Sequence, residues 1–502
     1  MENRPQWGTR AGFILAAVGS AVGLGNIWRF PAVAYENGGG AFFLPYLFAL
    51  LTAGIPLLIL EFTLGHKYRG SAPMTYARVN KKFEWLGWWQ VGIAFVISTY
   101  YAVILAWAAS YSVFSFNLTW GDDPAAFLFE KHLQLAAPGE FGGIVPSVLI
   151  PLVIIWVVTL GILFAGVKKG IEKANKIFIP TLVVMFLIIC IRAVTLDGAT
   201  EGLQSFFSPD WSRIMDASVW VAAYGQIFFS LSIAFAIMVT YSSYLPKKSD
   251  ITNNAFITGF ANSGFELLAG IGVFSALGFM AAQQGVPVQD VVEAGVGLAF
   301  VVFPQIINEF PAFNGLFGFL FFASIVLAGL TSLISIVETF VAGLQDKFGI
   351  SRTKSVLIGG GISALLSLIY ATRGGLNFLD SVDYFINTFG ITLAGLVQVI
   401  LVAWVAKELK NLQSHANGIS DIQLGTWWRI CLTVITPIVL GWMMIDNFRI
   451  NLTTPYGGYP IAFLIQWGWL VALAVIIIGI AFSAIKWKKE HPASVSNDKG
   501  VS

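Results

Sequence analysis

Residues 19–31 read Gly19-Ser20-Ala21-Val22-Gly23-Leu24-Gly25-Asn26-Ile27-Trp28-Arg29-Phe30-Pro31. Two glycines, an amide, an arginine and a proline crowd the last nine positions, inside a segment otherwise apolar enough to cross a bilayer. Glycine costs about 1 kcal/mol against alanine inside a helix, and proline about 3. One reading is small residues placed for close helix packing. The other is a deliberate break, which a bilayer tolerates only where the backbone is buried in protein or lines a cavity. Freed carbonyls are then ligands for a cation, and freed N–H groups can hold a carboxylate.

The rest of the chain sets the context. Of 502 residues, 57% are hydrophobic and 11% charged, and the mean hydropathy is +0.76. A soluble domain carries roughly 25% charged residues, so most of this chain cannot face water. A helical span needs about 20 mostly apolar residues. Twelve such spans are predicted, at 11–36, 41–66, 87–114, 144–164, 175–194, 217–244, 253–281, 314–345, 353–371, 378–407, 427–446 and 462–486. With the N-terminus placed inside, alternate loops collect twenty-three lysines and arginines inside against five outside. That asymmetry predicts both termini on the cytoplasmic side of the cell membrane. The first span carries an arginine and lacks an A-x-A-like cleavage site, so it reads as a span and not a signal peptide. The tail beyond Lys486 is polar and is expected to be disordered.

Several functions are excluded. The net charge of +2 leaves no basic face for nucleic acid. His66, His132, His415 and His491 lack metal-ligand spacing in sequence, and Cys190 and Cys431 lie in apolar runs, outside any disulfide framework. No G-x-S-x-G, P-loop or H-E-x-x-H is present, so the chain is read as no enzyme. Polar clusters instead interrupt apolar spans: Gln226 to Ser232 in the sixth, and Ala328-Gly329-Leu330-Thr331-Ser332 in the eighth. Such hydroxyls often just bond back to the preceding turn. Ionisable residues inside spans are functional candidates. These are Arg29, Glu61, Glu266, Glu338 and Asp383, with Asp380 near the tenth span's start.

At these positions the chain resembles the neurotransmitter:sodium symporters, especially the bacterial, leucine-transporter-like branch. The likeness runs from Arg4-Pro5-Gln6-Trp7 to the last span. It rests on Ala21-Val22-Gly23-Leu24-Gly25-Asn26 with Arg29-Phe30-Pro31, on Glu36-Asn37-Gly38-Gly39-Gly40-Ala41-Phe42, on Gly54-Ile55-Pro56, and on the two clusters above. The resemblance implies an all-α polytopic fold of twelve transmembrane helices. Spans 1–5 (11–194) and 6–10 (217–407) form two inverted repeats, with helices 1 and 6 broken at mid-membrane. Residues 427–486 add spans 11 and 12, and 1–10 and 487–502 are cytoplasmic ends of a single transporter domain.

The resemblance also implies two Na⁺ sites. The first would use Ala21, Asn26, Ser230 and Asn262, completed by the substrate carboxylate. The second would use Gly19, Val22, Ala328, Thr331 and Ser332. Substrate contacts would come from Ala21, Gly23, Leu24, Gly25, Tyr101 and Ser230, with a side-chain pocket of Ile97, Phe229, Ser232, Phe235, Ser332 and Ile336. An outer gate would pair Arg29 with Asp383 near Gln226, and an inner gate Arg4 with Asp346, supported by Trp7 and Tyr244. Two departures stand out. Ala234 and Ala236 replace glycines common in the sixth-span break. Glu266 stands where chloride-dependent members carry a serine. The expectation is a sodium-coupled importer of a zwitterionic, apolar amino acid, working by alternating access in the lipid bilayer. It needs two Na⁺ and no chloride, and countertransport of a proton would fit Glu266. GABA-, betaine- or taurine-like substrates are the alternative, and an ion channel is a more distant one. The oligomeric state is not fixed by sequence.

Overall fold

In a computed structural model, residues 4–488 are described. Among the described residues, ten helices are long and apolar enough to cross a membrane, and a bent pair adds an eleventh. In chain order the bent pair is α1 (Arg10–Ala21 with Gly25–Glu36), followed by α2 (Gly40–Tyr68), α3 (Lys81–Asn117), α4 (Pro146–Phe164) and α5 (Val167–Ala193). The sixth passage, α6, consists of two shorter helices, Ala217–Ser230 and Ile237–Ser242. The remainder are α7 (Ile251–Gln284), α8 (Asn314–Phe348), α9 (Arg352–Ala371), α10 (Gly375–Val405), α11 (Thr426–Gly458) and α12 (Ile461–Ala484). The breaks in α1 and α6 fall at matching positions of the two five-helix repeats, as an inverted-repeat fold requires.

Local chemistry starts and stops these elements. Thr9 caps α1 by accepting the Gly12 N–H at 3.0 Å, and Asp250 caps α7 through the Asn253 N–H at 2.9 Å. The first half of α1 ends where Val22 turns extended (φ −72°, ψ 100°). The second half resumes as a π-turn over Gly25–Arg29, and the two halves are bent by 51°. In α6 the helix is lost between Ser230 and Ile237. Ser232, Ala234 and Ala236 there take left-handed φ values of 54°, 68° and 71°. Each costs roughly 1–2 kcal/mol for an L-residue with a side chain.

Two predicted boundaries and one omission need correction. α5 begins at Val167, not 175: Lys168, Lys169, Glu172, Lys173 and Lys176 imitate a loop, yet long basic chains reach water from a helix end. α11 continues past 446 to Gly458. An apolar helix, Gly295–Glu309, lies between α7 and α8, where no element was predicted because its apolar run is too short to span. The tail also differs. Its first residues pack against the bundle, with Trp487 donating to Glu84 at 2.8 Å and the Lys488 N–H donating to the Lys347 carbonyl at 3.1 Å. A buried acceptor and a buried ammonium give this short polar stretch something to order against. Residues 1–3 and 489–502, part of the predicted cytoplasmic ends, lie outside the described residues.

Candidate functional site

The two helix breaks face each other at the centre of the bundle. Ser232 Oγ donates to the Ser20 carbonyl at 2.8 Å, tying the α6 break to α1. Between them lies a cavity of about 210 Å³, lined by both breaks, α3, α8, α10 and the Gly295 end of the short helix. It collects Ala21, Gly23, Leu24, Gly25, Ile97, Tyr101, Phe229, Ser230, Ser232, Phe235, Ser332 and Ile336, the predicted substrate set. Sequence reading missed Ile104, Ile391, Asn387 and Val296 on the same wall. Ile104 could have been found, since it lies one helical turn from Tyr101 and Tyr100 on α3. Asn387 and Val296 carry no such signal, because only tertiary packing brings them in.

Gly23 explains why this wall is glycine. A Cβ there would stand 3.1 Å from both the Tyr101 hydroxyl and Ser332 Oγ. The bare backbone, a phenol and a hydroxyl therefore converge on one point, with the Leu24–Asn26 amides alongside. At Gly25 a Cβ would come within 2.3 Å of the Phe229 ring, so that ring packs directly against the backbone of α1.

The predicted sodium ligands fall into two groups. Asn26 Nδ2 donates to Asn262 Oδ1 at 2.8 Å, and Asn262 Nδ2 donates to Ser230 Oγ at 3.0 Å. Asn26 Oδ1 accepts the Gly23 N–H at 2.8 Å. Ala21, the last residue of the first half-helix, lines the cavity with Asn26 and Ser230. In the second group Thr331 Oγ1 donates to the carbonyls of Gly19 (2.7 Å) and Ala328 (2.8 Å). Ser332 Oγ reaches the same two at 3.4 and 3.2 Å. Val22 is extended at the end of the half-helix, and its carbonyl is outside the helical ladder. Oxygen-only sets of this kind suit a hard cation. Among the described residues no group of three His, Cys, Asp or Glu could hold a metal ion instead.

The gates differ from one another. At the end bearing the N-terminus, Arg4 Nη1 donates to both Asp346 oxygens at 3.1 and 3.0 Å. Arg4 Nε donates to Ser243 Oγ at 3.0 Å, and its guanidinium lies over the Tyr244 ring. Trp7 is pinned through its indole to the Tyr241 carbonyl (2.8 Å) and through its backbone N–H to that of Tyr244 (3.1 Å). Tyr244 donates in turn to Glu338, which also takes both arms of Arg352. At the other end the predicted Arg29–Asp383 pair is not among the ion pairs of the described residues. Arg29 instead sits over the Phe229 ring, 4.5 Å from its centroid, and Asp383 Oδ1 accepts the Asn387 amide at 2.8 Å. A cation over an aromatic face gives up less water than a buried ion pair. Gln226, predicted beside this gate, donates to Glu266 at 2.7 Å.

Glu266 is fully buried and accepts from Gln226 and from the Tyr46 hydroxyl. Glu61, also buried, accepts the Ala234 N–H at 2.8 Å and the Gln398 amide at 3.1 Å, holding the α6 break from behind. In the last turn of α2, buried His66 shares a 2.9 Å hydrogen bond with His415 although they lie far apart in sequence.

Comparison with known proteins agrees with this architecture. A family model described as the sodium:neurotransmitter symporter family matches residues 4–137 and 125–490. An uncharacterized sodium-dependent transporter of Methanocaldococcus jannaschii is 42% identical over 475 residues, covering 94% of this chain and 96% of that relative. The human sodium- and chloride-dependent GABA transporter 2 is 30% identical over 527 residues, covering 96% and 86%. The crystal structure of MhsT in complex with L-phenylalanine superposes with a TM-score of 0.76 at 33% identity, covering 89% of this chain and all of that one. This chain is therefore a multi-pass membrane protein, a sodium-dependent symporter and not an enzyme, and it belongs to the sodium:neurotransmitter symporter family.

Proposed function

We propose that the protein imports an amino acid with an apolar side chain, coupled to two Na⁺ and independent of chloride, across the cell membrane with both termini cytoplasmic. The observation that carries this reading is Gly23, where the Tyr101 and Ser332 hydroxyls converge on a backbone with no side chain. An anionic side chain is absent there, so the substrate brings its own carboxylate to the opened backbone of the α1 break and the phenol. Ile97, Ile104, Phe235, Ile336 and Ile391 offer the rest of the substrate an apolar surface, with Asp380, Asp383 and Asn387 on the α10 part of the wall. The neighbouring MhsT was crystallised with L-phenylalanine, which supports the same substrate class. The first Na⁺ then shares the carboxylate with Asn26, Ser230 and Asn262, and the second joins α1 to α8 through Thr331 and Ser332. Arg4–Asp346 and Arg29 with Phe229 close the two ends in turn.

The test is Na⁺-dependent binding to purified protein, with competition by the twenty amino acids, GABA, betaine, taurine and creatine. Displacement by leucine, phenylalanine or tryptophan is expected, in Na⁺ and not in choline. Displacement by GABA or betaine alone would replace this substrate class.

A further inference from the structure

The segment after α12 closes a cluster at the same end of the molecule as Arg4 and Asp346. Lys347, in the last turn of α8, is wholly buried and paired with Glu84, in the first turn of α3's main stretch. Glu84 also accepts the Trp88 indole N–H at 3.0 Å and, on its other oxygen, the Trp487 indole N–H at 2.8 Å. The Lys347 ammonium lies 4.6 Å from the centre of a Trp487 ring, and the Lys347 carbonyl accepts the Lys488 N–H at 3.1 Å. A buried ion pair repays its desolvation only when its remaining valences are filled and water is kept out. Trp487 does both. Staying in place does not require it of α12, which already packs on α3 through Phe482 and Trp88 at 4.9 Å.

Lys347 follows Asp346 directly on one unbroken helix. Asp346 takes Arg4 and also the Ser71 N–H at 2.8 Å. Fixing Lys347 against Glu84 therefore fixes the carboxylate that Arg4 must find for this end to close. We propose that Trp487 and Lys488 form a clasp over the Lys347–Glu84 pair, with Trp487 a positioning residue for Asp346 that biases the transporter toward the state closed at this end. The inference rests on the alternating-access reading above. It adds a control point outside the transport path.

Tyr241 supplies the readout, because it is fully buried beneath Trp7, with ring centroids 5.2 Å apart. A Tyr241→Cys chain should react with a maleimide only when the N-terminal segment lifts away. Na⁺ should slow that reaction in the parent background; if Na⁺ has no effect, the alternating-access reading fails before the clasp is judged. Adding Trp487→Leu should speed labelling in Na⁺ by roughly fivefold, the shift expected from about one net hydrogen bond. Trp487→Phe keeps a ring over Lys347 but loses the bond to Glu84, and should fall between the two. It also decides the matter if the leucine variant fails to fold. Substrate-binding capacity per mole should be retained, since no variant touches the cavity. Labelling within twofold of the parent in a folded Trp487→Leu chain, or labelling indistinguishable from the parent in Trp487→Phe, would overturn the clasp. So would faster labelling matched by an equal loss of binding-competent protein, the mark of general destabilisation.

Discussion

Gln226 donates from Nε2 to Glu266 Oε1 across 2.7 Å, so the side chain expected beside the outer gate is held by a fully buried carboxyl. Tyr46 donates to the other oxygen. Under the proposed function, two Na⁺ and a zwitterion would leave net positive charge in a poorly solvated core, where an uncompensated ion is expensive. An ionised Glu266 would supply the offset without a mobile anion. Transport should therefore proceed in gluconate as in chloride, and Glu266→Ser should make it require chloride. Uptake by the parent chain that collapses in gluconate would exclude this role for Glu266.

Sodium ligands are expected to separate cleanly from the fold. Opposite charges about 4 Å apart at an effective dielectric near 20 attract by about 4 kcal/mol, which links the first ion to the substrate carboxylate. Asn26→Ala and Thr331→Ala should each raise the Na⁺ concentration needed for half-maximal substrate binding at least tenfold. Melting temperature in detergent without Na⁺ should stay close to the parent's. Parent-like Na⁺ dependence in both variants would move the ions elsewhere.

Tyr101→Phe removes one hydroxyl from the point that faces Gly23. A hydrogen bond to a charged group is worth roughly 1.5–3 kcal/mol, so substrate affinity should drop about 10- to 150-fold with Na⁺ affinity less affected. Calorimetric titration of the variant checks this, and parent-like affinity would place the carboxylate away from α3.

His415 lies outside the spans, with Lys67 and Arg69 near and His66 bonded to it at 2.9 Å. Burial, reinforced by those two cations, pushes its imidazole from the usual 6.5 down to about 4. The folded chain thus binds this proton less readily than the unfolded chain. The stability this site contributes is complete above pH 6.5 and declines as pH falls from 6.5 toward 4. Melting curves across that window should show a shallower decline for His415→Gln than for the parent; parallel declines would remove His415 from the pH response.

The backbone at residue 234 offers a steric test. At φ 68° glycine is unstrained, alanine tolerable and a β-branched residue a severe misfit. Melting temperatures should rank Ala234→Gly at or above the parent, with Ala234→Val well below both. A valine variant as stable as the parent would mean that the α6 break adopts another conformation.

The membrane passages were legible because the bilayer imposes their length and composition, and the α1 break announced itself through Gly23, Gly25 and Pro31. The α6 break was harder to read. Ala234 and Ala236 hide it behind residues that normally favour helix, and only Glu61 reaching in from α2 reveals what holds it open. Residues contributed by sequence-distant elements escaped for the same reason. Val296, Asn387 and Ile391 enter the cavity wall through packing that no local pattern encodes. Trp487 looked like tail, since a buried Glu84–Lys347 pair cannot be seen from charges more than 250 residues apart.

The alternating left-handed residues Ser232, Ala234 and Ala236 bear on speed as well as shape. A carrier that held its cargo in a fully relaxed site would sit in a deep well, binding firmly and cycling slowly. Here the break beside the site is held in a costly conformation by neighbours such as Glu61, so any state of the cycle in which those contacts loosen recovers part of that cost. Glycine at 234 or 236 would remove the strain, and with it that contribution to movement between states.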